Sequence, residues 1–162
     1  MDTLTTDRLE GNALDAWRSY LQSHASILRQ LDAELVAAHG MTTRDYEVLL
    51  YLSQAPDRQL PMSGLATSTM LTRSGITRLV DGLVTAGWIE RVACESDARV
   101  SYARLTDVGY SKLRDAGCTH IGSIQRLFLE HFSAAEIDQL AKLLRRLPGA
   151  GGNGSCTVEQ EA

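Results

Sequence analysis

An apolar stripe within residues 72–86, followed at once by two short β-prone segments, constrains the fold of this chain more than any other feature of its sequence. The stripe has the spacing i, i+3, i+4, i+7 and i+8, which places its side chains on one face of an α-helix. Its members are Ile76, Leu79, Val80, Leu83 and Val84. Thr72 is a favourable N-cap residue, and Gly87 stands where a left-handed residue would end the helix. We therefore predict a helix with one buried face and one exposed face.

The segments on either side of this helix complete a recognisable unit. Residues 88–92 and 100–105 are β-prone and flank a polar turn at residues 95–98, a pattern typical of a β-hairpin. Upstream, Pro61 begins a short predicted helix that ends in a turn at Ser68 and Thr69. The order of short helix, turn, helix and hairpin predicts a winged helix-turn-helix.

Longer helices are predicted outside this unit, at residues 12–38, from Thr42, from Thr106 and from Ser133. The fold class is thus mainly α with a small β-hairpin wing, in a winged helix-turn-helix protein of six helices. The first helix and the last two carry apolar stripes that one small domain does not cover, which favours an intertwined homodimer over a monomer with intramolecular packing. The predicted regions are a helical dimerisation region at 12–40 and 106–147, a winged helix-turn-helix at 41–105, and a disordered tail at 148–162.

The exposed face of the helix from Thr72 has the side chains that a DNA-reading helix requires. Short hydroxyl side chains permit close approach to the major groove, and arginine binds the edge of guanine in a bidentate manner. The free amides at the helix N-terminus also favour a phosphate. We expect Asp97 to position Arg99, which would enter a neighbouring minor groove; the alternative is a solvated turn with a weak surface salt bridge. The candidate DNA-binding residues are Thr69, Thr72, Arg73, Ser74, Thr77, Arg78, Asp97 and Arg99. Among them, Thr69 lies in the turn before the helix and is expected to contact a phosphate.

The charge distribution is compatible with double-stranded DNA as a partner, although the net charge is −4. Residues 1–50 carry four basic and eight acidic side chains, whereas residues 69–104 carry five arginines and four acidic side chains. Such a weakly basic surface predicts weak non-specific binding and a greater reliance on specific contacts. The alternative is a winged-helix interaction module that does not bind DNA.

Four short motifs, in this order and spacing, resemble the MarR family of winged-helix regulators. They are Leu79–Leu83 (LVDGL), Ala86–Arg91 (AGWIER), Asp97–Arg99 (DAR) and Leu105–Gly109 (LTDVG). The resemblance spans roughly residues 12–147. It implies a transcriptional regulator, usually a repressor, that binds a palindromic operator as a homodimer, with Arg99 reaching the minor groove. Ala98 departs from the pattern, because this wing position is often basic in the family.

The resemblance also implies a small aromatic or phenolic effector, bound in a crevice between the dimerisation and DNA-reading parts. Aromatic side chains would supply apolar contacts, and a histidine would pair with a carboxylate. The candidates are Trp17, Tyr20, His24 and Tyr46. The alternative is that Trp17 and Tyr46 are packing residues.

Other function classes find little support in the sequence. There is no secretory signal or long apolar segment, so we expect a cytoplasmic protein without a membrane partner. The three cysteines (Cys94, Cys118 and Cys156) form no CxxC pair, and ordinary roles are expected for them. No metal-ligand spacing, phosphate loop or catalytic carboxylate pair is present, which predicts no cofactor, no metal and no enzymatic activity. A small-molecule enzyme or carrier remains the less favoured alternative.

Overall fold

The computed structural model describes residues 10–94, 97 and 99–149. The described residues form six α-helices and one three-stranded sheet. In chain order the elements are α1 (Gly11–His39), α2 (Thr43–Gln54), β1 (Gln59–Pro61), α3 (Met62–Ser68), α4 (Arg73–Thr85), β2 (Ile89–Ala93), β3 (Ser101–Leu105), α5 (Asp107–Leu127) and α6 (Ala134–Leu144). The predicted fold class, six helices with a small β wing in a winged helix-turn-helix, is confirmed.

Local signals in the sequence set the ends of the helices. Gly40 ends α1 with a φ of 64°, a left-handed conformation that glycine adopts without steric cost. At the start of α2, the Thr42 hydroxyl accepts a hydrogen bond from the Asp45 amide, and the Asp45 carboxylate accepts one from the Thr42 amide. Ser133 and Glu136 form the same reciprocal pair before α6. These capping boxes satisfy amides that would otherwise lack partners.

The sheet contains one strand more than the predicted hairpin. The strand order is β1-β3-β2, and both pairings are antiparallel. β1 pairs Gln59 with Arg104 and Pro61 with Tyr102, so it extends the wing on the side away from β2. A three-residue segment that ends in proline has little strand propensity, and its conformation comes from pairing with β3.

The core lies where α2, α3, α4, α5 and the sheet meet. Its buried side chains include Leu35, Leu49, Leu52, Leu65, Ile76, Val80, Leu83, Ile89 and Leu113. Because the apolar stripe of α4 is buried there, the opposite face of α4 is directed outward. The start of α5 is tied to the segment that follows α4, since the Thr106 hydroxyl donates to the Gly87 carbonyl oxygen at 2.8 Å.

α1 and α5 pack together, and polar contacts between their side chains stabilise this packing. His39 Nε2 lies 2.8 Å from the Thr119 hydroxyl, and Arg126 donates to Glu34 at 2.5 Å. The Ser123 hydroxyl also donates to Glu34. These two donors, Ser123 foremost, hold the pKa of the Glu34 carboxyl below its usual range.

In the single chain, α6 has no buried residue, whereas each of the other five helices has at least one. No helix within the described ranges is long and apolar enough to cross a bilayer. From residue 150 onward, the tail predicted to be disordered lies outside the described residues.

Candidate nucleic-acid interface

The N-terminal half of α4 presents a continuous polar surface. Thr72 caps the helix, and its hydroxyl accepts a hydrogen bond from the Gly75 amide at 3.1 Å. The helix therefore begins with a side chain that satisfies one free amide, while its positive end is directed outward. The exposed residues that line a shallow groove on this surface are Thr72, Arg73, Ser74, Thr77, Arg78 and Asp81.

Five of the residues predicted to contact DNA thus lie together on one surface. In the described part of the chain, neither Arg73 nor Arg78 forms an ion pair, so both guanidinium groups are free to bind a ligand. The Thr77 hydroxyl donates to the Arg73 carbonyl oxygen at 2.8 Å, which keeps its oxygen close to the helix. The surface offers two cations and three hydroxyl groups to an acceptor-rich partner.

Thr69 does not join this surface, which corrects the phosphate contact predicted for it. Only 1% of the residue is exposed, and its hydroxyl donates to the Leu65 carbonyl oxygen at 2.8 Å. The turn after α3 directs Thr69 inward because the hydroxyl closes the last turn of that helix. Met70, with a φ of 52°, is the exposed residue at this turn.

The wing carries the other two predicted residues, Asp97 and Arg99. The Asp97 carboxylate accepts a hydrogen bond from the backbone amide of Arg99 at 2.9 Å, so it positions the backbone of the turn. The Arg99 residue is exposed. Residues 95, 96 and 98, including the Ala98 that departs from the resemblance, lie outside the described residues.

Two ion pairs near α4 and the wing involve residues that the sequence reasoning did not select. Arg91 on β2 donates to Asp81 on α4 at 2.7 Å, and Arg104 on β3 donates to Glu90 on β2 at 2.8 Å. The LVDGL and AGWIER segments contain Asp81 and Arg91, but their pairing depends on how β2 docks against α4. The ten-residue separation of Asp81 and Arg91 in the sequence does not by itself predict this pair.

The four residues predicted to bind an effector fall into two separate places. Trp17, Tyr20 and His24 form a row along α1, with successive ring centroids 6.2 and 6.0 Å apart. Tyr46 is buried on α2 and packs against His120 of α5, with 4.5 Å between ring centroids. In the single chain, the structure does not bring all four side chains to one site.

A cavity lies beside Tyr46, between α1, α2 and α5. Its volume is about 340 Å³. It is lined by Leu28, Leu31, Thr43, Arg44, Tyr46, Glu47, Leu50 and His120. Burial lowers the pKa of His120 below its usual range, and Nδ1 of this ring has no hydrogen-bond partner among the described residues. The cavity therefore combines apolar walls with an imidazole whose neutral form is favoured and with Arg44, which donates to the Glu47 carboxylate at 2.8 Å.

Comparisons with known proteins place this arrangement in a family. A family model described as the MarR family matches residues 39–100. The HTH-type transcriptional regulator PecS of Dickeya dadantii is 30% identical over 129 residues, which are 77% of this chain and 76% of PecS. The chain belongs to the MarR family. The transcriptional repressor YetL of Bacillus subtilis is also 30% identical, over 67% of this chain, but the match spans only 64% of the length of YetL.

A solved structure of a MarR-family relative shows the same architecture. Sco3205 of Streptomyces coelicolor, a MarR family transcriptional regulator crystallised in complex with DNA, is 30% identical to this MarR-family chain. The two structures superpose with a TM-score of 0.81, over 86% of this chain and 90% of the other. The resemblance inferred from the four sequence motifs is confirmed.

Proposed function

We propose that this MarR-family protein is a DNA-binding transcriptional regulator that acts as a repressor. The observation that carries the proposal is the exposed surface of α4, where Thr72, Arg73, Ser74, Thr77 and Arg78 surround the positive end of a helix whose other face is buried. Arginine and hydroxyl side chains on such a helix suit the major groove. The DNA complex of Sco3205 and the repressor YetL support the proposal.

The wing is proposed to contribute a second contact. Arg99 is exposed on the turn that Asp97 stabilises, and a guanidinium at such a position suits the narrow, strongly negative minor groove. With α4 in the major groove, the wing would follow the duplex to the adjacent minor groove. Thr69, whose side chain is buried, has no part in this proposal.

We propose a homodimer as the form that binds a palindromic operator. In the single chain, α6 buries none of its residues, and Leu143 and Leu147 are 45% and 44% exposed. A groove of about 570 Å³ between α1 and the segment after α5 is lined in part by Ile27, Phe128 and Phe132. A second copy would cover these apolar surfaces and present two α4 helices about 34 Å apart, one turn of DNA.

A small aromatic or phenolic effector is proposed to bind in the cavity beside Tyr46. The cavity lies between α1 and α5, which would belong to the dimerisation region, and α2 of the winged helix-turn-helix. Aromatic packing on Tyr46 would suit an aromatic ring, and the carboxylate of an aromatic acid would bind Arg44 in place of Glu47, with which Arg44 pairs at 2.8 Å. The predicted role of Trp17, Tyr20 and His24 in effector binding stays a separate prediction, because a partner subunit would have to complete a binding site beside this row.

DNA binding is tested by a gel-shift of the purified protein on DNA upstream of its own coding region. We expect a shifted complex whose affinity falls steeply with added salt, because phosphate contacts release counterions. Loss of the complex on addition of aromatic acids would support the effector. A protein that shifts no duplex at low salt would instead be an interaction module. The proposed cytoplasmic location follows from DNA as the partner.

A further inference from the structure

Asp81 places a carboxylate on the same surface of α4 as the arginines that we propose bind DNA. It follows Arg78 by three residues, a spacing that puts the two side chains side by side on a helix. Its side chain is 61% exposed and lines the shallow groove together with Arg73. An acidic group at this place repels the phosphates of any duplex, whatever the sequence of the duplex.

The Asp81 carboxylate also holds a third arginine. Arg91 Nη2 donates to Asp81 Oδ1 at 2.7 Å, and the Arg91 side chain is 34% exposed. Alternate residues of a strand face the same side, so Arg91 shares the side of β2 on which Ile89 enters the core. The guanidinium therefore lies between the wing and α4, at the edge of the proposed DNA-binding surface. While it pairs with Asp81, it does not neutralise a phosphate.

This pairing has different consequences for specific and non-specific binding. Non-specific affinity depends almost entirely on phosphate neutralisation, whereas base contacts discriminate between sequences. A mobile arginine beside the groove would strengthen binding to every duplex by a similar factor. While that arginine is held in an ion pair, the contacts of Arg73 and Arg78 supply a larger share of the free energy of DNA binding.

We propose that Asp81 is a specificity-determining residue that keeps Arg91 from binding phosphates. The proposal rests on the proposed DNA-binding function. Asp81 acts by removing a sequence-independent contact. Its effect is therefore measured by the ratio of the affinity for the operator to the affinity for a non-specific duplex, and not by the affinity for the operator alone.

The test compares the wild-type chain with Asp81→Asn on two duplexes of about three helical turns. One contains a site selected by the wild-type protein from a random pool, and the other is its scrambled counterpart of equal composition. Fluorescence anisotropy is recorded over a KCl series. We expect several-fold tighter binding of Asp81→Asn to the scrambled duplex and a smaller ratio of specific to scrambled affinity. The salt slope should steepen by about 0.9 for each protomer bound.

A double-mutant cycle separates the release of Arg91 from the loss of one negative charge. We expect Arg91→Gln alone to leave the salt slope unchanged and Asp81→Asn/Arg91→Gln to restore the wild-type slope. A lower slope for Arg91→Gln alone would mean that Arg91 already binds a phosphate, which overturns the proposal. So would a loss of affinity confined to the selected site in Asp81→Asn, since Asp81 would then accept from a base.

Glu90→Gln is the matched control. It removes the same charge and breaks a similar ion pair, that of Glu90 with Arg104, on the side of β2 opposite to Arg91. We expect its salt slope to equal that of the wild type. A steepening equal to that of Asp81→Asn would show that net charge causes the effect, and it would overturn the proposal. Wild-type protein that binds neither duplex at any salt concentration would instead overturn the DNA-binding function, whatever the variants do.

Discussion

The imidazole ring of His120 packs against the phenol ring of Tyr46, with 4.5 Å between the ring centroids. This contact joins α5, which also packs along α1, to α2 of the winged helix-turn-helix. Because burial lowers the pKa of His120, the neutral ring is the form that the folded protein favours. The contact between the two parts of the chain is therefore sensitive to protonation.

Acidification is expected to destabilise the protein through His120. Above the ordinary histidine pKa of about 6.5, the ring is neutral in both the folded and the unfolded state. Below that value the unfolded state binds the proton more readily, so the free energy of unfolding falls as the pH is lowered. Urea titrations at several pH values should show this fall in the wild type and a smaller one in His120→Phe, which retains an aromatic ring. Parallel curves for the two proteins would exclude His120 as the cause.

Gly109 is expected to tolerate no side chain. A Cβ on this residue would collide with the backbone carbonyl of Trp88, which cannot move without disturbing β2. Gly109→Ala should lower the free energy of unfolding by about 3 kcal/mol or more. Gly82→Ala on α4 is the control, because a Cβ there meets no atom within 4 Å and should stabilise the helix by about 0.5–1 kcal/mol. Thermal or urea unfolding measures both, and similar stabilities of the two variants would contradict the packing argument.

Much of the fold could be predicted from the sequence because local signals specify its elements, and the segment around Gly109 is an example. The Leu105–Gly109 motif combines a core residue, an N-cap and a glycine where the start of α5 approaches the backbone carbonyl of Trp88. Helix caps, apolar stripes and turn glycines are local signals, and the structure follows them at α1, α2, α4 and α6. β1 was missed because its three residues become a strand only through pairing with β3, which is a long-range contact.

The candidate site was predictable where it depends on one helix and less so where it depends on tertiary packing. Helical spacing alone places Arg73, Thr77 and Arg78 on one surface. Thr69 was predicted to contact a phosphate, but its hydroxyl turns inward to the Leu65 carbonyl, and the sequence gives no sign of that choice. The Asp81–Arg91 pair likewise depends on the docking of a strand against a helix.

Substitution of the α4 arginines is expected to reduce sequence-specific binding. Arg73→Ala or Arg78→Ala should weaken binding to the operator by about 1–3 kcal/mol, because each substitution removes a guanidinium that we propose binds the edge of a base. Binding to a scrambled duplex should change much less. Arg114→Ala, an exposed arginine on α5, serves as the charge-matched control and should leave both affinities near the wild-type values. An equal loss on both duplexes would show that these arginines bind phosphates only.

Arg99→Ala is expected to weaken operator binding with little effect on stability. The residue is exposed, and the bond to Asp97 uses the Arg99 backbone amide, which alanine retains. Anisotropy titrations and thermal melting of the same preparation measure the two quantities together. Unchanged affinity would remove the wing from the proposed interface, and a lowered melting temperature would point to a structural role of the side chain.

Dimerisation is expected to depend on the apolar side chains that α6 leaves exposed. Leu143→Asp places a charge on a surface that the proposed dimer buries, and an unpaired buried charge costs several kcal/mol, so the variant should be monomeric at micromolar concentration. Val108→Asp is the control, because Val108 is 64% exposed in the first turn of α5, where an acidic side chain suits the helix dipole. Sedimentation velocity measures the mass of each. A dimeric Leu143→Asp protein would contradict this interface, whereas a monomer that also loses operator affinity would support a dimer as the form that binds DNA.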